Sequence, residues 1–510
     1  MGLFRLQAHY TCGMIFQRGR DILIEGEALA SCEITAYLGD DVVTINAEPG
    51  CFAVILPPRK ADRGLTLVVA ANEILDDMAQ IDAPQVGMAH EIVLTDIYIG
   101  EIWFAGGQSN MQWHLRDTDE YRQNPVVKEN SDLRFYTVGR NAVASADMLD
   151  PGYEWAFTRD HGWVGCCEES ALYFSAVAYH FAHTLYDALQ VPIGIVNCNV
   201  GGSCISSWLP LDDIEECIPF TWDEYRKEIE SVDLTAARAD FHRHFDEISK
   251  TYDISRNVSG TADELPTISY REPGPYRFKL PGVLYTGMLR RISTFPARGM
   301  LWYQGESDGN NEGGLHYYAG LEALVGNMKR RQNNPDFAFN FVQLPPYAEP
   351  GMIYWAVVCN NMRKFSLRHP DYAMVTTGDV GCAMDIHPPL KRPIGERLAY
   401  AAMHRSYDMN REYTGPIAES AQRLGDEVQV SFIHGAGLHQ RSASMGRFEL
   451  VYEDCAVVEA AAEIRDGAVY LALPEGGTPK LVRYEFVANA QIGLFNGYGY
   501  PASLFELAVR

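Results

Sequence analysis

Residues 101–113 read Glu-Ile-Trp-Phe-Ala-Gly-Gly-Gln-Ser-Asn-Met-Gln-Trp. The apolar run Ile97–Ala105 ends in two glycines and delivers Ser109 between the amides Gln108 and Asn110. A strand that stops on glycine can turn where a side chain would block the chain, and so expose a serine as a nucleophile. The main-chain N–H of that serine can also donate to the oxyanion formed when its hydroxyl attacks an ester. A Gly-x-Ser alone is an ordinary turn. Its chemistry depends on partners elsewhere.

Three later blocks offer such partners, each just after an apolar run. Asn197-Cys-Asn-Val-Gly-Gly-Ser follows the run at 192–197. There the N–H of Gly202 is a second candidate oxyanion donor, because glycine lets backbone approach a ligand closely. Trp302-Tyr-Gln-Gly-Glu-Ser-Asp brings Gln304, a neutral donor, and Glu306, a carboxylate. Asp385-Ile-His-Pro-Pro holds His387 in a stiff loop. A histidine so placed can take the serine proton and return it to a leaving alcohol while a carboxylate fixes its tautomer. No second His or Cys cluster with ligand spacing accompanies it, so a metal is not expected, and acyl transfer through a serine needs no organic cofactor.

The elements that must position these blocks alternate. From about residue 96, apolar runs at 97–105, 192–197, 298–303, 337–342 and 372–377 are interleaved with amphipathic stretches at 171–189, 315–332, 353–368 and 393–407. That rhythm predicts a parallel sheet covered by helices, with its ligand site at the carboxyl ends of the strands. Residues 1–95 and 411–510 read instead as short alternating strands separated by turn residues, each a β-sandwich-type module. The expected division is an N-terminal module at 1–95, a hydrolase domain at 96–410 and a C-terminal module at 411–510. A charged, helix-like insertion occupies about 211–280 and would rim or cap the site.

Composition bounds the partners. The 510 residues carry a formal net charge of −25, which argues against nucleic acid or an anionic membrane surface. The 11 cysteines include no Cys-x-x-Cys, and the N-terminus lacks the basic and apolar pattern of a secretory signal. A cytoplasmic protein is expected, acting on a small-molecule or oligosaccharide ester.

The order serine, glycine, amide-plus-acid, Asp-x-His is not that of an α/β-hydrolase elbow, in which a glycine would replace Met111. It resembles the SGNH (GDSL-like) hydrolases, and one branch closely: the sialate O-acetylesterase family of carbohydrate acetylesterases. The likeness rests on Gly-Gly-Gln-Ser-Asn-Met at 106–111, Pro-Ile-Gly-Ile-Val-Asn with Gly-Gly-Ser and Trp208, Trp-Tyr-Gln-Gly-Glu-Ser-Asp at 302–308, and Asp-Ile-His-Pro-Pro-x-Lys with Gly395-Glu-Arg-Leu-Ala. It implies a three-layer α/β/α SGNH domain with flanking β-modules. It implies Ser109 as nucleophile, His387 as general base and then acid, and oxyanion donors at Ser109, Gly202 and Gln304. Gln304 departs from the superfamily's asparagine, and Asp385 stands two rather than three residues before the histidine. Asp385 is taken as the supporting acid, with Glu306 as the alternative.

The implied activity is removal of O-acetyl groups from acetylated sugars, sialic acids first, through an acetyl-serine. Trp113, Trp208, Trp302 and Tyr303 are candidates to line the sugar side, and Arg116 to meet a sugar carboxylate. An acetylxylan or other glycan acetylesterase is the enzymatic alternative; a silent carbohydrate-binding protein is the non-enzymatic one.

Overall fold

One long strand, β1 (His90–Gly107), joins two parts of the molecule. Its first half alternates buried and exposed positions and pairs antiparallel with Asp62–Glu73. From Ile97 onward every residue is buried: Tyr98–Gly100 pair with Ile15–Gln17, and from Trp103 the strand has a parallel neighbour on either side. The strand therefore begins seven residues before the apolar run at 97–105, and the boundary drawn after residue 95 falls inside it. In the computed structural model, residues 2–73, 90–142, 162–233, 235–240, 242–243, 278–441, 443–474 and 477–510 are described.

Beyond β1 come β2 (Asn130–Thr137), β3 (Val164–Cys166), β4 (Ile193–Asn199), β5 (Gly299–Tyr303), β6 (Ala338–Val342) and β7 (Ala373–Val375). Their order in the sheet is β3-β2-β4-β1-β5-β6-β7, and all neighbours are parallel except β3 with β2. The chain first builds on one side of β1 and then on the other. The carboxyl ends of β4, β1 and β5 thus flank a topological switch point, where α/β sheets open a crevice. The four strands expected after the first fall where the apolar runs placed them. β2 was not anticipated: Asp132 and Arg134 break its apolar run, yet each is tied up, with Arg63 and Asp96 respectively.

Four helices cover the sheet: α1 (Ala176–Leu189), α2 (Tyr317–Arg331), α3 (Trp355–Arg368) and α4 (Arg392–Ser406). α1 packs with α4, where a side chain at Gly395 would sit 2.6 Å from the Val177 carbonyl, and α2 packs with α3. The result is the expected α/β/α arrangement. One continuous apolar core runs from the N-terminal strands through this sheet. Strands at Ile22–Ala28, Cys32–Leu38 and Asp41–Ala47 match the alternating runs read there.

The C-terminal strands enclose a second core around Val428, Val430, Leu450, Val482 and Phe505. Buried Arg363 of α3 joins the two, donating to the carbonyls of Ala418 (2.6 Å) and Glu506 (3.1 Å). Of the insertion, helices Leu211–Cys217 and Pro219–Glu230 are as read, while residues 244–277, including the Pro-rich stretch from Glu272, lie outside the described residues. Among the described residues, no helix is long and apolar enough to cross a membrane.

Candidate active site

The serine turn is held by backbone from both neighbouring strands. Gly107 ends β1 with φ of 136°, and a Cβ there would lie 2.0 Å from the Tyr303 carbonyl, so only glycine fits. Val200 N–H donates to the Gly107 carbonyl (3.1 Å) and Gln108 N–H to that of Tyr303 (3.0 Å). Ser109 then opens a single helical turn, Ser109–Gln112. Its Oγ lies 2.8 Å from Nε2 of His387, although 278 residues separate the two.

The Gly-Gly loop after β4 reaches the same point. A Cβ on Gly201 would sit 3.3 Å from the Cβ of Ser109, and Gly201 N–H donates to Gln112 Oε1 (2.9 Å). Gly202, at φ of 75°, follows directly.

His387 is half-buried and stacked on Trp113, with ring centroids 5.0 Å apart and planes at 24°. Burial lowers its pKa, the nearby Lys391 cation lowers it further, and Asp385 acts in the opposite sense. The ring is therefore neutral at pH 7 and able to accept a proton. Asp385 is exposed, and its Oδ1 accepts the main-chain N–H of His387 (2.8 Å), which fixes the loop. Glu306, 1% exposed, instead accepts from Asn110 Nδ2 (2.6 Å). Of these two carboxylates, Asp385 is the one whose charge acts on His387.

Behind the serine lies a buried polar bridge that motif reading left without a role. Asn110 donates to Glu306 and to the carbonyl of Ile386 (2.9 Å), and its Oδ1 accepts from Lys391 Nζ. Lys391 is 0% exposed; burial pulls its pKa down to about 7 and pushes that of Glu306 up. The signal was present, since Asn110 and Lys391 stand inside two of the quoted motifs, but spacing alone does not pair residues 281 positions apart.

Three expected roles need correction. Gln304 is not a free oxyanion donor. Its amide nitrogen is taken up by Asp308 Oδ2 (2.6 Å), the Ser203 carbonyl (3.0 Å) and Gln108 Oε1 (3.2 Å), so it braces the floor of the site. Its partner Asp308 is buried, which raises that carboxyl to about 7. Trp208 and Tyr303 do not face a sugar, because both are fully buried. Trp208 donates to Ser203 Oγ (2.9 Å) and packs edge-on against the equally buried Trp302 (6.1 Å, 90°). Trp113 alone of the four aromatics remains partly exposed at the site. Arg116 lies over the Tyr173 ring (4.4 Å) and 3.8 Å from Asp117.

Residues 272–404 match the family model for carbohydrate esterase, sialic acid-specific acetylesterase, a span that holds Glu306, His387 and Lys391. The chain is 25% identical over 481 residues to the mouse (Mus musculus) sialate O-acetylesterase, covering 88% of this chain and 82% of that one. It is 23% identical to the human (Homo sapiens) sialate O-acetylesterase, over 82% of this chain and 75% of the relative. The crystal structure of a carbohydrate acetylesterase from Xanthomonas citri shares the fold, with a TM-score of 0.76, 24% identity and 99% coverage of both chains.

Lys391 lowers the basicity of His387 and stays protonated below about pH 7, so its charge is present throughout the acid limb of the rate profile. With His387 as the proposed base, which must be neutral to act, the acid limb of kcat/KM should have its midpoint below pH 6.5. In Lys391→Met that midpoint should move to higher pH, read from pH profiles of 4-nitrophenyl acetate hydrolysis. A midpoint that stays or moves down contradicts the electrostatic role.

Proposed function

We propose that this esterase, similar over most of its length to sialate O-acetylesterases, removes O-acetyl groups from acetylated sugars, sialic acids first among them. The observation that carries the reading is the 2.8 Å contact between Ser109 Oγ and His387 Nε2 at the switch point of the sheet. In the proposed reaction His387 takes the serine proton as Oγ attacks the acetyl carbonyl. The main-chain N–H groups of Ser109 and Gly202 receive the developing oxyanion. His387 then protonates the leaving sugar hydroxyl, and water, activated by the same ring, releases acetate and frees the serine.

Asp385 is proposed as the carboxylate that supports the imidazolium. Glu306 holds Asn110, and through it the alignment of the serine turn. Trp113 is proposed to present its open face to the sugar while fixing the plane of the imidazole. An acetylated xylan or other neutral glycan is the second substrate class. The cytoplasmic setting is kept as a proposal, supported by 11 free cysteines, a pattern suited to a reducing compartment.

Acetate release from O-acetylated sialic acids and acetylated xylo-oligosaccharides tests the reading. Wild-type protein should release acetate, fastest from the sialic acids, and Ser109→Ala should lose at least about 1,000-fold. Unchanged release by Ser109→Ala would remove the nucleophile from the account. Asp385→Asn should lower kcat by roughly 100-fold or more, and by more than Glu306→Gln does. The reverse ranking would transfer the supporting role to Glu306.

A further inference from the structure

Arg140 lies just past the carboxyl end of β2. The parallel register sets Thr137 beside Asn197 and Asn197 beside Ala105, and Val138 N–H continues the pattern by donating to the Asn197 carbonyl (3.0 Å). Arg140 is three residues beyond Thr137, as Gln108 is three beyond Ala105, so both lie past the carboxyl ends of their strands. Two strand spacings, about 10 Å, separate their strands, which is within the reach of a monosaccharide and a long side chain.

The backbone at this position is fixed. Val138, Asn141 and Ala142 are buried. The π-helical turn Tyr285–Leu289 closes on them so tightly that a Cβ on Gly287 would lie 2.0 Å from the Asn141 carbonyl. Single π-turns of this kind recur at functional sites.

Among the described residues, the guanidinium has no acidic partner. In a chain with 67 acidic and 42 basic residues, the arginines buried among the described residues are all engaged. Arg134 pairs with Asp96, Arg397 is bidentate on Asp379, and Arg363 binds two carbonyls and Asn360. Arg140 is half-buried, and among the described residues it makes no hydrogen bond or ion pair. Burial lowers its pKa to about 10, and the titratable neighbour acting on it is the Cys198 thiol. Cys198 pairs in register with Gly106, three residues before Ser109. An unpaired, partly desolvated guanidinium is costly unless an anion completes it, and its planar fork suits a carboxylate.

We propose that Arg140 receives the carboxylate of the substrate, making the site selective for acidic acetylated sugars over neutral ones. This deepens the sugar-deacetylation reading above and rests on it. Arg116, the residue expected in this role, already lies against Asp117 and Tyr173.

The test compares O-acetylated N-acetylneuraminic acid with the same sugar whose carboxylate is converted to a carboxamide. Wild-type kcat/KM should favour the acid by roughly 10- to 100-fold, chiefly through KM. In Arg140→Gln that ratio should collapse toward one, and in Arg140→Lys much of it should persist. Because the ratio is taken within each variant, a general loss of folded enzyme cancels from it. A wild-type enzyme that shows no preference for the acid, or an Arg140→Gln variant that keeps it, overturns the assignment while leaving deacetylation standing. A wild-type enzyme that cleaves 4-nitrophenyl acetate but neither sugar overturns both.

Discussion

A single buried amide, that of Asn110, bridges the distant parts of the chain that meet at the site. It stands beside Ser109, donates to Glu306 in the loop after β5, donates to the carbonyl that precedes His387, and accepts from Lys391 at the start of α4. An asparagine suits this place because one side chain offers two donors and two acceptor positions. Replacing it by aspartate would remove the donors and set a third charge between the other two. The bridge helps to hold Ser109 and His387, 278 positions apart in sequence, at their 2.8 Å contact.

Such a bridge is not a source of stability. Taking the charges of Glu306 and Lys391 out of water offsets much of what their indirect attraction through Asn110 returns, and replacing buried charges by apolar residues is often neutral or stabilising. What the arrangement supplies is a fixed geometry and a local field. Burial first, and then protonated Lys391, hold the His387 pKa below its ordinary value, and Trp113 stacks on its ring. The same loop places Asp385 on the solvent side, where its charge opposes that of Lys391 at the imidazole. In the proposed mechanism the ring is thus poised between a buried cation and an exposed anion, weakly basic at rest and stabilised once protonated.

Much of this was legible in the chain. Apolar runs ending in glycine marked the strand ends, and the four chemistry-bearing blocks fall after strands of one sheet as read. Spacing could not tell which way side chains at a strand end would point. Tyr303 and Trp208 looked like sugar platforms because they adjoin polar loops, but both turn inward and join the core. Gln304 looked like a free donor because two of its acceptors, Gln108 and the Ser203 carbonyl, lie in other blocks, whereas Asp308 stands in its own. β2 escaped notice because its charged residues find partners only in the folded protein. Arg140 was silent for the opposite reason, since its lack of a partner among the described residues becomes visible only in the folded chain.

The central claim is that Ser109 carries the acetyl group between sugar and water. Intact-mass measurement of enzyme quenched within milliseconds of mixing with 4-nitrophenyl acetate, followed by peptide mapping, tests it most directly. The account predicts a transient gain of one acetyl group on the peptide containing Ser109, absent in Ser109→Ala. An acetyl group on a different residue, or full turnover with no adduct at any time, would contradict it.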